Sequence, residues 1–269
     1  DARALTVMTF NIRYDNPDDG RHAWPNRRDR VANLIQFYRP DVVGVQEALQ
    51  GQMQDLADRL PGYEWFGRGR GANATDGEYS AVFYRPDRLE LHEHETFWLS
   101  PNPDEPASVG WDAALPRIVT WGRLTDRRTG NTFYHFNTHF DHEGDTARAR
   151  SAELLADRIG ALEKNLPVVL TGDFNFTPED PPYEILSADL QDAMRASRTG
   201  HFGPDGTYGG FEVSGELGPR IDYVWTTSEV EVLRHGTITD HDLGDYPSDH
   251  LPVVAEVVLP GRGSGQGVF

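Results

Sequence analysis

Polar residues of one kind recur where apolar runs stop. Asn11 ends Val7-Met8-Thr9-Phe10, and Glu47 ends Val42-Val43-Gly44-Val45-Gln46. Asn137 and His139 close Phe133-Tyr134-His135-Phe136, and Asp173 and Asn175 follow Val168-Val169-Leu170-Thr171-Gly172. Asp222 precedes Tyr223-Val224-Trp225, and Asp249 with His250 precedes Leu251-Pro252-Val253. Strand ends along one sheet edge converge in space, so these side chains can meet in one pocket. Carboxylates and amides without cysteine make a hard, oxygen-rich site, suited to Mg²⁺ or Mn²⁺, one ion or two, rather than to zinc or copper. A hard divalent ion beside two histidines is equipment for phosphoryl transfer to water. The ion neutralises phosphate oxygens, a carboxylate takes a proton from water and an imidazolium stabilises developing charge. Asp222 is a candidate to orient His250 and raise its basicity.

Taken singly, Asn11 also reads as a turn residue after a strand, and Asp173 as a helix cap or Asx-turn. Arg148 and Arg150 read as a solvated helix face, Arg68 and Arg70 as phosphate contacts or a plain Gly-Arg-Gly-Arg-Gly loop, and Trp98, Trp111 and Trp121 as core or loop anchors. His139-Phe140-Asp141-His142 lacks the H-x-H-x-D-H pattern of a dinuclear zinc hydrolase. In Ser248-Asp249-His250 the residues are adjacent and no G-x-S-x-G elbow exists, which argues against a serine hydrolase.

Elements must carry these residues. Residues 4–12 and 41–45 read as strands, and Val31, Leu34, Ile35 and Tyr38 place one apolar face on a helix over about 27–38, stopped by Pro40. A helix is expected around 50–60, strands near 79–84, 89–98, 117–125 and 131–140, and the longest helix over 145–164. Strands near 167–171, 221–226, 230–238 and 251–259 complete the pattern. No repeat or linker divides the chain, so a single domain over 1–260 is expected, followed by a flexible glycine-rich tail over 261–269. Mixed strand–helix order without strict βαβ alternation points to an α/β sandwich.

The 269 residues include 43 acidic and 25 basic side chains, a net charge of −18. Only one of the basic residues is lysine, Lys164, and no glycine-rich loop precedes it, which argues against Schiff-base chemistry and a Walker-type loop. The absence of cysteine excludes disulfides and thiolate nucleophiles. No apolar run approaches the roughly 20 residues of a membrane span. The acidic balance disfavours nucleic acid as a partner without excluding it. A chain opening at Asp1 without Met suggests export, secreted or periplasmic. A monomer is expected.

Thr9-Phe10-Asn11, Gln46-Glu47, Asn137-Thr138-His139, Gly172-Asp173-Phe174-Asn175, Arg220-Ile221-Asp222-Tyr223 and Ser248-Asp249-His250, in this order, resemble the endonuclease/exonuclease/phosphatase superfamily. Its members include pancreatic-type DNases, abasic-site endonucleases, inositol polyphosphate 5-phosphatases and bacterial sphingomyelinases, and residues 137–142 and 97–100 look like a bacterial branch. The resemblance spans about 5–259. It implies a DNase I-like four-layer α/β sandwich: two mostly antiparallel sheets face to face, helices outside, and the active site at one end. By this resemblance Glu47 is the main metal ligand, with Asn11 beside it and Asp249 nearby. Asp173 activates or aligns the attacking water, Asn175 hydrogen-bonds the phosphate, His250 contacts it, and Asp222 is the partner of His250. His139 with Glu78 resembles the second histidine–carboxylate pair of the DNase-like branch. Arg117 stands where related enzymes place a phosphate-binding arginine, and Asn137 joins it as a substrate contact.

The expected function is Mg²⁺- or Mn²⁺-dependent hydrolysis of a phosphate mono- or diester by attack of water. A small or lipid-derived substrate is favoured by the charge and by the arginine and aromatic loops around Trp111, Arg117 and 208–211. The alternative is a DNase, favoured by Glu78 and His139. A non-catalytic binding module fits less well, because the polar set is intact.

Overall fold

The apolar runs alternate their side chains between two cores, as the period of a strand requires. In β1 (Leu5–Asn11), Leu5 and Val7 face one buried cluster while Met8 and Phe10 face another. In β8 (Val168–Asp173), Val169 joins the first cluster while Val168 and Leu170 face a third. Each sheet is therefore apolar on both faces, and covering them produces four layers. The computed structural model describes residues 2–163, 166–213 and 215–261. Lys164 and residues 262–269 of the glycine-rich tail lie outside them.

The chain runs β1, a 3₁₀ turn (Pro17–His22), α1 (Trp24–Tyr38), β2 (Val42–Gln46), α2 (Gln50–Arg59), β3 (Glu64–Phe66), β4 (Val82–Tyr84), β5 (Leu89–Trp98), β6 (Ile118–Asp126), β7 (Thr132–His139) and α3 (Asp145–Gly160). It continues through β8, α4 (Pro181–Ser187), β9 (Gln191–Asp192), α5 (Ala193–Ala196), β10 (His201–Phe202), β11 (Asp222–Thr226), β12 (Glu231–Thr237) and β13 (Val253–Val258). One sheet has the order β10-β12-β13-β1-β2-β4-β3 and the other β5-β6-β7-β8-β11-β9. Val31, Ile35, Met53 and Leu56 seat α1 and α2 on the first sheet; Ala152, Leu155, Tyr183 and Leu186 seat α3 and α4 on the second. The sandwich is as expected, though the sheets are mixed: β1–β2, β7–β8 and β10–β12 are parallel and the remaining pairings antiparallel. Parallel neighbours need a crossover, and α1 and α3 supply it for β1–β2 and β7–β8.

Most boundaries agree with the periodicity to within a few residues. The helix expected from 27 starts at Trp24, because Pro25 is well placed in the first turn and Trp24 is itself buried. The helix expected to reach 164 ends at Gly160. The short elements β3, β9, β10, α4 and α5 were not anticipated; each is too brief to show a period.

The sheets approach closely at Gly44. A Cβ there would collide with Thr171 Oγ1 and Asn137 Oδ1 of the opposite sheet. Asn137 pins this contact: its amide donates to Val45 O (2.8 Å) and Ala81 O (2.9 Å), and its oxygen accepts from Gln46 Nε2 (2.7 Å) and Thr171 Oγ1 (3.1 Å). Every hydrogen-bonding position of this buried amide is engaged, three of them across to the other sheet and the fourth with Thr171 on the neighbouring strand. The expected substrate contact at Asn137 is thus corrected to an inter-sheet tie.

Candidate active site

Topology brings the remaining residues to one end. β1 and β2 are parallel, so Asn11, paired with Gln46, and the following Glu47 leave the first sheet together. β7 and β8 are parallel, placing His139 beside Asp173. β11 runs antiparallel to β8 and begins there with Asp222 opposite Asp173. β6 starts next to the end of β7 and brings Arg117, while the approach to β13 brings Asp249 and His250 beside the end of β1. They surround a cavity of ≈ 470 Å³, whose lining includes Glu47, Glu78, Arg117, His139, Asp173, Asn175, Asp249 and His250. Three lining residues hold left-handed backbone: Arg13 (φ 57°), Glu47 (φ 67°) and Asn175 (φ 49°). Such conformations cost on the order of 1–3 kcal/mol and persist where surrounding contacts impose them.

At the centre the Asn11 amide nitrogen lies 2.9 Å from both Glu47 Oε1 and Asp173 Oδ2, bridging two carboxylates. Glu47 Oε2 accepts from Tyr14 N at 3.1 Å, and Asp173 Oδ1 from Asn175 N at 3.1 Å. The Asn175 amide is anchored on Phe140 O (3.0 Å). His139 Nε2 and His250 Nε2 lie 3.3 and 3.7 Å from Asp173 Oδ2, so Asp173 sits between the two rings. His250 Nδ1 is 2.9 Å from Asp222 Oδ2, the pairing read from the sequence.

The Glu78–His139 pair is looser than expected. His139 Nδ1 is 3.8 Å from Glu78 Oε2, beyond hydrogen-bond range, and makes no hydrogen bond. Glu78 is gripped instead by Arg70, with both contacts at 3.0 Å. That assigns Arg70 an internal partner. Arg68 lies over the Trp98 ring, with 4.9 Å to its centroid. Arg148 and Arg150 pair with Asp145 and Glu153 on the helix surface.

Burial and charge set the ionisation of the centre. Burial lowers the His250 pKa, but Asp222, Asp173 and Asp249 outweigh it and hold the ring well above its usual value, as an imidazolium. His139 is pushed well below its usual value, by burial first and then by Arg117 and Arg70, and stays neutral. Burial and then the charge of Asp222 raise Asp173 to about 7, and burial also raises Asp249.

Several participants escaped the sequence reading. Thr207 Oγ1 donates to Asp222 Oδ2 (2.6 Å) while accepting from the amides of Ile221 and Asp222 (3.1 Å each), fixing the carboxylate that holds His250. It lies in a glycine-rich loop with no local signal. Arg13 lines the cavity, paired with Asp19 at 3.0 and 2.9 Å, with Nη1 3.9 Å from Asp249. Its place two residues beyond Asn11 was a usable signal. Arg27, fully buried on α1, donates to the carbonyls of Ile12, Arg13, Tyr14, His22 and Pro247, tying the segment after β1 to the segment that carries Asp249.

Arg117 is 4% exposed. Its Nε reaches Asp141 Oδ2 (3.3 Å) and its Nη2 His142 Nδ1 (2.9 Å), while Nη1 is buried without a partner. An unpaired guanidinium nitrogen beside a cavity calls for an anion. Asp141 also accepts from the amides of Ala114, Leu115, Glu143 and Gly144, so this aspartate anchors loops.

The centre fits a divalent cation. Oxygens of Glu47 and Asp173 converge within 4.8 Å of each other, and the donor end of the Asn11 amide occupies that convergence of carboxylates. Hard oxygen donors of this kind suit Mg²⁺ or Mn²⁺. Among the described residues no helix is long and apolar enough to cross a membrane.

Comparison with known proteins agrees with this geometry. The structure of a mannosyl-6-phosphatase from Bacteroides thetaiotaomicron superposes with a TM-score of 0.90 at 36% identity, covering 95% of this chain and 100% of that one. An uncharacterised mimivirus protein (Acanthamoeba polyphaga mimivirus) is 29% identical, covering 87% of this chain and 91% of its own. Rat (Rattus norvegicus) nocturnin is 24% identical over 94% of this chain, which spans 65% of that protein. The sequence profile of the Endonuclease/Exonuclease/phosphatase family matches residues 8–250. With that match across both sheets and the whole polar centre, the chain belongs to the Endonuclease/Exonuclease/phosphatase family, and is one of its phosphoester hydrolases.

Proposed function

We propose that the protein is a divalent-metal-dependent phosphomonoesterase acting on a phosphorylated saccharide. The observation that carries this reading is the buried, unpaired Nη1 of Arg117 beside the cavity that holds His250 and Asp173. The extra cation suits the second charge of a terminal phosphate, and the similarity to a mannosyl-6-phosphatase supports a sugar ester. The net charge of −18 opposes a long polyanion.

Glu47, Asn11 and Asp249 would hold Mg²⁺ or Mn²⁺. When bound, the ion would neutralise phosphate oxygens and orient the ester. Asp173, set between the two imidazoles, aligns the attacking water and accepts its proton. Asn175 and Arg117 hold non-bridging oxygens. His250, kept cationic and oriented by Asp222 and Thr207, stabilises the negative charge that grows on the phosphoryl group. His139 packs beside the water-activating carboxylate, with Glu78 on the far side of its ring.

The test is a substrate panel with Mg²⁺: hexose 6-phosphates, a dialkyl phosphate, a lysophospholipid and supercoiled plasmid. Phosphate release from the hexose ester is the expected leading activity. Rapid nicking of the plasmid without monoester turnover would replace this reading with a nuclease.

A further inference from the structure

The cavity is charged in its depth and carbon-rich at its mouth. Tyr208 and Leu115 line it while remaining 42% and 37% exposed, so they form its outer edge. Neither takes part in the steps above. The Tyr208 ring lies against His250, centroids 4.9 Å apart and planes at 51°, and its hydroxyl has no hydrogen-bond partner among the described residues. Its backbone is held firmly. Tyr208 bridges His250, Gly218 N donates to Tyr208 O (2.7 Å), and Leu251 N donates to Thr207 O (2.7 Å). Leu115 is held from the other side through its amide on Asp141 (3.4 Å). An exposed aromatic face fixed next to the phosphate-facing histidine is a preformed surface for the group that the phosphate leaves behind.

The edge also carries polar atoms. Arg117 Nη2 donates to His142 Nδ1, and a guanidinium has no lone pair, so the other ring nitrogen, Nε2, stands at a half-exposed edge 3.5 Å from the exposed carboxylate of Glu143, and the two together offer a donor and acceptors to hydroxyls. A surface combining an aromatic face, an aliphatic side chain and hydroxyl-binding edges matches a saccharide, whose C–H face is apolar and whose rim is hydroxylated. An alkyl chain would leave the polar atoms unmatched, and a polynucleotide would bring further phosphates to a strongly acidic protein.

We propose that Tyr208 and Leu115 form the leaving-group subsite and determine specificity, with the Tyr208 ring against the C–H face of the sugar and His142 at its hydroxyls. This rests on the monoesterase reading above. The test compares kcat/KM for mannose 6-phosphate with that for methyl phosphate, which has no ring to stack. The ratio is expected to fall about tenfold in Tyr208→Ala, chiefly through KM of the sugar ester, and to be retained in Tyr208→Phe. Leu115→Ala should lower it in the same direction. Phe202→Ala, which removes an 83% exposed aromatic outside the cavity, should leave it alone. Damage transmitted through His250 lowers both substrates together and does not move the ratio. An unchanged ratio in both Tyr208→Ala and Leu115→Ala, or a wild type with no preference for the sugar ester, overturns the subsite while the monoesterase reading stands. Absence of turnover with either ester overturns that reading itself.

Discussion

His250 receives a hydrogen bond network that makes sense for a group acting on the transition state. Its ring is buried, charged by three surrounding carboxylates, and oriented by an aspartate that Thr207 in turn orients. His250→Ala should therefore cut kcat by about 10²–10⁴-fold while KM moves far less, because Asn175 and Arg117 still bind the ground state. Asp222→Asn should produce a smaller loss in the same direction. Kinetics and melting temperature measured on the same preparations check this. Near-normal turnover in a less stable His250→Ala would reduce the histidine to a packing residue. The Asp222–His250 pair was legible because both residues stand at strand ends. Thr207 was not, because its contact depends on how a long loop folds back across the sheet edge.

Elements position the site through the inter-sheet contact as much as through strand order. β2 carries Glu47 and passes Thr171 and Asn137 closely enough that only a glycine fits at position 44. Gly44→Ala should cost about 1–3 kcal/mol of unfolding free energy by forcing the sheets apart, and it should lower activity by moving Glu47. Denaturant unfolding alongside phosphate release measures both; unchanged stability would show that the contact is slack. Strand and helix positions were largely readable, since a period of two and a period of 3.6 leave distinct apolar patterns. The role of Asn137 was not. Strand-end logic groups it with His139 on one face, but two residues along β7 separate the pocket from the space between the sheets. Arg27 escaped for a related reason: on an amphipathic helix an arginine reads as solvated, and here its partners are carbonyls from two distant segments.

The whole molecule holds neutral histidines in its interior. Burial lowers the pKa of His135, and of His235, to about 3, whereas an unfolded chain protonates them near 6.5. Below pH 6.5 the unfolded state binds more protons, so the stability they permit is complete above that value and declines as pH falls towards 3. Each group contributes about 1.4 kcal/mol per pH unit in that window. In His135→Gln, the loss of unfolding free energy between pH 5.5 and 4.5 should be smaller than in the wild type by about that amount. Parallel pH profiles would show that His135 protonates without penalty in the folded protein.

The same global arrangement, with two sheets delivering carboxylates and amides to one end, builds a place for a cation. The most direct measurement is phosphate release from a hexose 6-phosphate by wild type and Glu47→Gln, in EDTA and across a Mg²⁺ or Mn²⁺ titration. No turnover is expected in EDTA, with restoration by either ion in the wild type. Glu47→Gln should lose most activity at every ion concentration while melting as the wild type does, because the carboxylate that balances the ion has become a neutral amide. Full turnover in EDTA, or wild-type turnover by Glu47→Gln, would contradict this role for a bound cation.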